Sequence, residues 1–315
     1  MGRNSSAQYS ANALDELESR LIDALKRDGR ASVKRLAEEV GCTRLTAAAR
    51  LDELLATGRL RIIAAVHPEI SGLTEYVHVS VKVNGQVLPV AQRIAQLRAA
   101  PFVSVTSGEY QVVAELQLPG RAELYAALAE VREIPGVQYI SSLVYTEEMH
   151  GTLLPEGPLR QRRLDAIDRQ LIGLLQEDGR RSFSDLSRLI GLSPSATAAR
   201  VNELRDSRAL RIGPLIGRAG AQDGVVAGIG LNFRGDGSEV MGLLRSLPAV
   251  EYVAKTLGRF DAIATIAGGS TAALEHSIDG IAAIGCVTRV ESWLHLRILK
   301  ERYDWPLPVV AARDM

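Results

Sequence analysis

The chain repeats itself at a constant spacing of 150 residues. Leu14-Asp15 returns as Leu164-Asp165, Asp28-Gly29-Arg30 as Asp178-Gly179-Arg180, Ala48-Ala49-Arg50 as Ala198-Ala199-Arg200, and Leu60-Arg61-Ile62 as Leu210-Arg211-Ile212. Between positions 14 and 62, 19 of the 49 residues match their partner. Farther along, Val103/Val253, Thr106/Thr256, Gly108/Gly258, Leu124/Leu274, Val137/Val287 and Ser142/Ser292 keep the same register, so neither half needs a net insertion. A period this long marks tandem domains rather than a solenoid. It also writes the pseudo-twofold of a dimer into one polypeptide.

Each half reads as a helical part followed by a mixed part. Leu14, Leu17, Leu21, Ile22 and Leu25 recur at helical spacing and stop before Asp28-Gly29-Arg30, where Gly29 suits a left-handed helix end. Ser32 opens a short second helix with Leu36, Ala37 and Val40, ended by Gly41; Thr43 caps a third, whose Ala47, Leu51 and Leu54 form one apolar stripe. The second copy has Ser182 with Asp185 as a capping box, and Ser193-Pro194 as a cap followed by proline at the first helical position. Two helices joined at a tight glycine turn make a helix-turn-helix. Leu60-Arg61-Ile62-Ile63 and Leu210-Arg211-Ile212 read as β wings after it.

The mixed part begins with alternation: Val77, Val79, Val81 and Val83 are separated by His78, Ser80 and Lys82, and Ala227, Ile229, Leu231 and Phe233 stand at the equivalent places. A helix over about 87–99, a strand near Val103–Ser107, a turn at Gly108, a strand from Tyr110 to Leu118, a helix around Leu124, Leu128 and Val131, and a strand from Val137 to Tyr145 follow. That order is β-α-β-β-α-β, a ferredoxin-like sheet. The expected fold is therefore α+β, with two winged helix-turn-helix domains (1–71 and 151–224) alternating with two ferredoxin-like βαββαβ domains (72–150 and 225–315). Gly151 to Pro158 reads as a Pro/Gly linker.

Charge is balanced over the chain but not along it: basic against acidic residues number 11 and 10 in 1–71, 5 and 8 in 72–150, 12 and 9 in 151–224, and 9 and 10 in 225–315. Cys42 and Cys286 lie far apart, which offers neither a disulfide framework nor a Cys-x-x-Cys clip. Residues 1–13 are polar and no apolar run approaches the roughly 18 residues of a membrane span. A cytoplasmic protein without membrane partners is expected. His67, His78, His150, His276 and His295 share no close spacing, so no metal or other cofactor is expected. His78 and His295 read as residues on the polar face of their strands.

A helix-turn-helix joined through a wing to this sheet, with Ser193-Pro194-Ser195 opening the third helix, Arg200 within it and Gly258-Arg259-Phe260-Asp261 at the hairpin, resembles the Lrp/AsnC (feast/famine) transcriptional regulators. The resemblance covers nearly the whole chain, twice, as in a tandem duplication. It implies that each sheet domain pairs with a second copy and holds a small effector, commonly an amino acid, near the interface.

For double-stranded DNA, a stripe of Thr197, Val201 and Leu204 turned inward puts Ser195, Ala198, Ala199 and Asn202 outward, with Arg205 at the flank. Asn202 suits an adenine, and Arg205 a phosphate or guanine. Ser193 belongs to the same surface, as do Thr43, Arg44 and Thr46 of the first copy. There the equivalent face presents Leu45, Ala48, Ala49, Asp52 and Glu53, whose carboxylates repel phosphates and mark the poorer reader. Arg50 and Arg200 lie about 60° from the buried stripe by helical arithmetic, which fits equally a DNA contact or a head paired with an acid of the first helix. Arg59, Arg61, Arg208 and Arg211, on or before the wings, are placed for phosphates, where any sequence serves.

For the effector, Gly258 permits close backbone approach and Asp261 offers a carboxylate to an ammonium, with Phe260 between them. The first copy has Gly108-Glu109-Tyr110-Gln111 and lacks that acid, so one amine site per chain is expected, in the second copy, with the equivalent place around Gly108, Tyr110 and Gln111 empty or filled by a different ligand; the rival reading has Asp261 only capping its hairpin or pairing with Arg259. Ser142 and Ser292 are hydroxyl candidates on the last strands.

Three readings compete: a DNA-binding regulator sensing a small metabolite; an enzyme like the siroheme decarboxylases, which share this layout and bind a large tetrapyrrole; and a metabolite-binding module without DNA binding. The acidic, Arg-poor first sheet disfavours the second. The 150-residue register predicts that the two sheets of one chain pair as an intramolecular pseudo-dimer, with further homo-oligomers built from it.

Overall fold

The computed structural model describes residues 16–151, 155, 159–160, 164–216 and 224–302. Leu14 and Asp15, the polar residues 1–13 and most of the Pro/Gly linker lie outside them. The first repeat runs α1 (Glu16–Arg27), α2 (Val33–Val40), α3 (Arg44–Ala56), β1 (Leu60–Val66), α4 (Pro68–Ser71), β2 (Glu75–Val83), α5 (Val87–Gln96), β3 (Phe102–Thr106), β4 (Val112–Leu118), α6 (Arg121–Arg132) and β5 (Val137–Gly151). The second runs α7 (Ala166–Glu177), α8 (Phe183–Ile190), α9 (Pro194–Asp206), β6 (Leu210–Ile216), β7 (Val225–Phe233), α10 (Ser238–Ser246), β8 (Val250–Leu257), β9 (Ala262–Gly268), α11 (Thr271–Ala282) and β10 (Val287–Glu301). No helix among the described residues is long and apolar enough to cross a membrane.

Local signals end the helices where the sequence places them. Ser32, Thr43, Ser182 and Ser193 accept the backbone N–H three residues on, and Gly41 and Gly191 close α2 and α8 with φ of 70° and 72°. Those two glycines are left-handed; Gly29 and Gly179 are not. Asp185 does not complete a capping box but accepts the Ser182 hydroxyl at 2.6 Å. The full box is Asp165 with Asp168, at the start of α7.

Like elements of the two repeats associate, giving two units. Residues 16–73 with 155–216 form the helix-turn-helix unit, and 74–151 with 224–302 the sheet unit. In the first, Leu21, Leu25, Leu36 and Leu54 share one core with Leu171, Leu175, Leu186 and Leu204, joined through Ile62 and Ile212. The segments read as wings are strands paired with each other: β1 and β6 run antiparallel with Ile63 opposite its own counterpart Gly213, so a pseudo-twofold passes between them. This pairing satisfies apolar strands that an isolated wing would expose.

The glycines of the repeated Asp-Gly-Arg turns serve that seam. A Cβ on Gly29 would stand 2.6 Å from the Ile212 carbonyl oxygen and 2.9 Å from the Gly213 Cα. Gly179 donates its N–H to the Ile62 oxygen at 2.7 Å. Arg30 donates to the Gly179 and Arg181 carbonyls, and Arg180 reciprocally to those of Gly29 and Ala31. The expected left-handed helix end is thus a clasp between repeats, demanding glycine for space rather than for φ.

In the sheet unit, eight strands close in the order β10-β3-β4-β2-β5-β8-β9-β7. Each half has ferredoxin-like order, and the last strand of each pairs with the second strand of the other: Tyr145 faces Thr256, and His295 faces Thr106. Two helix-covered cores flank the sheets, and a third cluster of Phe102, Val113, Leu143, Phe260, Ile263, Trp293 and Ile298 fills the space between them. His78 is buried there rather than exposed on a polar face, hydrogen-bonded to Ser80 at 3.2 Å and 5.7 Å from the Trp293 ring. His295 faces the same space, 5.5 Å from Phe102.

Candidate functional site

The helix-turn-helix unit exposes one face of α3 and one of α9. On α9 the exposed residues include Ser195, Ala199 and Asn202; Ala198 is half-buried. Glu203 and Asp206 are exposed as well, so this helix is not free of acids, and the contrast with α3 narrows to single positions. Asn202 stands where α3 has Asp52, Ser195 where it has Leu45, and Pro194 where it has Arg44. Leu45 is 81% exposed, an uncommon exposure for leucine. The cap hydroxyls are tied down: Thr43 bonds Thr46 at 2.9 Å and Ser193 bonds Ser195 at 3.1 Å.

Several of the arginines expected at DNA have protein partners instead. Arg200 pairs with Asp165 at 2.7 Å and with buried Asp168 at 2.9 Å, which answers the split expectation for this residue in favour of the first-helix acid. Burial works to raise the Asp165 pKa, but the Asp168 N–H and the Arg200 guanidinium hold it below its ordinary value. The matching buried acid of the first copy, Glu18, is met by Arg59 at 3.1 Å, so Arg59 is a core partner and not a phosphate contact. Arg50 pairs with Glu53 at 3.2 Å. Arg205 reaches across the seam to Asp28 at 3.1 Å, and Arg211 donates to the Lys26 carbonyl. Expectations of DNA contact at Arg205 and Arg211 are corrected accordingly: both heads lie where repeats meet, and helical arithmetic on one repeat has no knowledge of the other. Arg44 and Arg61 remain exposed. Arg208 holds φ of 63°, where the first repeat has Gly58. A non-glycine left-handed residue is strained, which sets Arg208 apart.

In the sheet unit the two hairpins differ, and not as the sequence suggests. The Asp261 carboxylate accepts the Phe233 N–H at 3.1 Å and the Asn232 amide at 3.2 Å, so it fastens the end of β7. Gly258, with φ of 151°, is packed so closely that a Cβ would meet Leu143 Cδ2 at 2.6 Å. Phe260 is fully buried against Gly230, where a Cβ would collide with its ring. The expected amine site around Gly258 and Asp261 is therefore filled by its own side chains.

A cavity of about 30 Å³ opens instead at the first repeat's hairpin, lined by Ser80, Ser107, Gly108, Glu109, Tyr110, Val113, Arg259, Glu291, Ser292 and Trp293. Gly108, Tyr110 and Ser292 were expected at an effector site; Ser142 lies instead at the closed hairpin, its carbonyl 3.2 Å from where a Gly258 Cβ would be. The floor is Ser80, Val113 and Trp293, all buried, and the rim is Gly108, Glu109 and Ser292, all exposed. Arg259 lies across the Tyr110 and Phe260 rings, 4.5 and 4.4 Å from their centroids, and donates to Glu291 at 3.0 Å. Trp293 carried no site expectation, and Arg259 entered only within the hairpin motif. For Trp293 the signal was the Gly228-x-Gly230 pair in β7, since alternate glycines in a strand mark the close approach of bulky neighbours; Trp293 sits against Gly228 and Phe260 against Gly230.

Comparison with known proteins follows the same division. The AsnC-type helix-turn-helix model matches residues 14–55 and again 164–205. An uncharacterized HTH-type transcriptional regulator of Pyrococcus abyssi is 32% identical over 150 residues, 44% of this chain and 95% of the relative. The HTH-type transcriptional regulator FL11 of the same organism is 28% identical over 134 residues, 42% of this chain and 89% of the relative. Among solved structures, the siroheme decarboxylase NirDL in complex with an iron-uroporphyrin III analogue shares the fold at TM-score 0.61 and 14% identity, across 91% of this chain and 93% of that one. With two matched helix-turn-helices, each followed by a ferredoxin-like sheet, and relatives that span one repeat, the chain belongs to the Lrp/AsnC family of transcriptional regulators, in tandem-duplicated form.

Proposed function

We propose that this regulator binds operator DNA through α3 and α9 as one clasped pair and responds to a small effector held at the first repeat's hairpin. The observation that carries the reading is the clasp: two helix-turn-helices share a core and a strand seam, so neither reader is independent of the other. Because the readers differ in sequence, the operator they fit is not palindromic. Helix α9 reads bases through Asn202 and Ser195; α3, with Asp52 at the matching place, contributes Arg44, Thr46 and Leu45, the leucine suited to a thymine methyl. Arg61 and Arg208 are the proposed phosphate contacts.

A tetrapyrrole enzyme is the weaker reading. The likeness to NirDL is one of fold, the inter-sheet space is packed with seven apolar side chains, and the hairpin cavity is of the size of about two waters. We place the protein in the cytoplasm with its DNA, and expect further self-association of the pseudo-dimer. Electrophoretic mobility shifts with genomic fragments test the reading. Asn202→Ala is expected to weaken the specific complex by about 1–3 kcal/mol, as loss of a base contact does. No retarded fragment with folded protein refutes DNA binding; an Asn202→Ala complex of unchanged affinity refutes the reading role of α9.

A further inference from the structure

We infer that the two repeats recognise each other as unlike partners. The surface of each accepts the other and rejects a copy of itself, so the chain closes on its own two halves and like repeats of two chains do not exchange. Helix α3 is then always presented beside α9.

The helix-turn-helix seam rejects a pair of first repeats. Arg205 of the second repeat reaches Asp28 at 3.1 Å, but Leu55 stands where its counterpart would reach Asp178. The Arg30 guanidinium lies over the Phe183 ring, 4.4 Å from its centroid, whereas Val33 stands at the matching place for Arg180. Two first repeats would offer only Leu55 and Val33 and lose both contacts.

The inter-sheet faces reject both like pairs. In the second repeat Phe260 and Trp293 are seated where Gly230 and Gly228 leave room; at the matching places the first repeat has Tyr110, Leu143, Ser80 and His78. Leu143 already approaches the second repeat so closely that a Cβ on Gly258 would stand 2.6 Å from its Cδ2. A pair of second repeats puts a tryptophan in the place of Leu143, against the same backbone, and so overpacks a filled contact. A pair of first repeats carries His78 and Glu115 twice, without the Phe260, Ile263, Trp293 and Ile298 that now fill that space. Buried polar groups are doubled while their apolar cover is lost. Selectivity of this kind comes from what the wrong partner leaves unsatisfied as much as from what the right one gains.

Two further full-length chains test it: in one, residues 14–150 also replace 164–300, and in the other, 164–300 also replace 14–150. By circular dichroism both are expected to melt roughly 5–10 °C or more below the native chain. The sign of one substitution is sharper. Trp293→Leu in the native chain removes a filled volume and lowers the melt. Returning position 143 of the doubled second repeat to leucine relieves the clash, and is expected to raise its melt or to restore one. Separately, a protease site placed within 151–158 of the native chain is cut after folding, and the halves are unfolded in urea, refolded together and weighed by native mass spectrometry. Unlike pairs alone are expected. Doubled chains as stable as the native one, a leucine at position 143 that neither raises nor restores the melt, or a random assortment of like and unlike halves each overturn the proposal. These measurements contain neither DNA nor effector, so their failure leaves the proposed function untouched.

Discussion

Replacing Gly29 and Gly179 by alanine tests the clasp most directly, because two explanations of these glycines predict opposite signs. If they only ended helices in an ordinary conformation, alanine at φ outside the left-handed region would stabilise by about 0.4–1 kcal/mol through the unfolded chain. The structure says otherwise. At Gly29 the three atoms nearest a new Cβ are all backbone of the facing strand, at 2.6, 2.8 and 2.9 Å. At Gly179 the Ile62 oxygen lies 3.0 Å away and Ile212 Cγ2 2.8 Å. Overpacking of a well-fitted contact costs about 1–3 kcal/mol, and backbone yields less readily than a side-chain tip, so Gly29→Ala belongs at the upper end. Net of the unfolded-state gain, about 1–2 kcal/mol per site remains, or roughly 3 for the pair. At 2–4 °C per kcal/mol for a protein of this size, the double variant should melt roughly 6–12 °C lower. Thermal melts by circular dichroism measure it, with Gly173→Ala as control: that glycine sits within α7 with nothing within 4 Å of a Cβ, and alanine there should stabilise by about 1 kcal/mol. A Gly29→Ala protein as stable as the parent would refute the steric argument.

Arg200→Ala should destabilise by about 3 kcal/mol, because it removes the guanidinium that pairs with the buried Asp168 carboxylate. The folded variant should still shift DNA, and a lost shift without lost stability would restore a DNA role. The depressed Asp165 contributes stability above the unfolded carboxylate pKa that vanishes as pH falls; the variant's stability should therefore depend less on pH below about 4 than the parent's. A second pH effect comes from the inter-sheet space. Burial, aided by His295 and Arg259, pushes His78 down to about 3, so its contribution is full above 6.5 and falls as pH drops. Burial pushes Glu115 up to about 7 against its bond from Tyr145, so its contribution is full below 4.5 and falls as pH rises. Between these limits the two slopes, each at most about 1.4 kcal/mol per pH unit, oppose each other. His78→Asn should unmask a decline in stability from pH 4.5 to 7 in denaturant melts, and a profile identical to the parent's would refute the assignment.

The sequence alone determined what is local and what is repeated. Caps at Ser32, Thr43, Ser182 and Ser193, left-handed ends at Gly41 and Gly191, the helical stripes and the β-α-β-β-α-β order depend on neighbours within a few residues, and those neighbours are written in order. The 150-residue register also announced a pairing of like with like. Only the tertiary structure decided what each repeat does to the other. Gly29 looked like a helix end because its obstruction, Ile212, lies in the other copy; Arg205 and Arg211 looked free because Asp28 and the Lys26 carbonyl do. The site moved for the same reason. Asp261 is the better ligand by residue type, yet Phe260 packed over Gly230 closes its hairpin, while Tyr110, whose repeat carries Ser80 in place of that glycine, leaves its own open to Arg259 and Trp293 from the partner copy. Which of two similar hairpins is hollow depends on side-chain volume across a sheet interface, and no period or motif in either repeat records that sum.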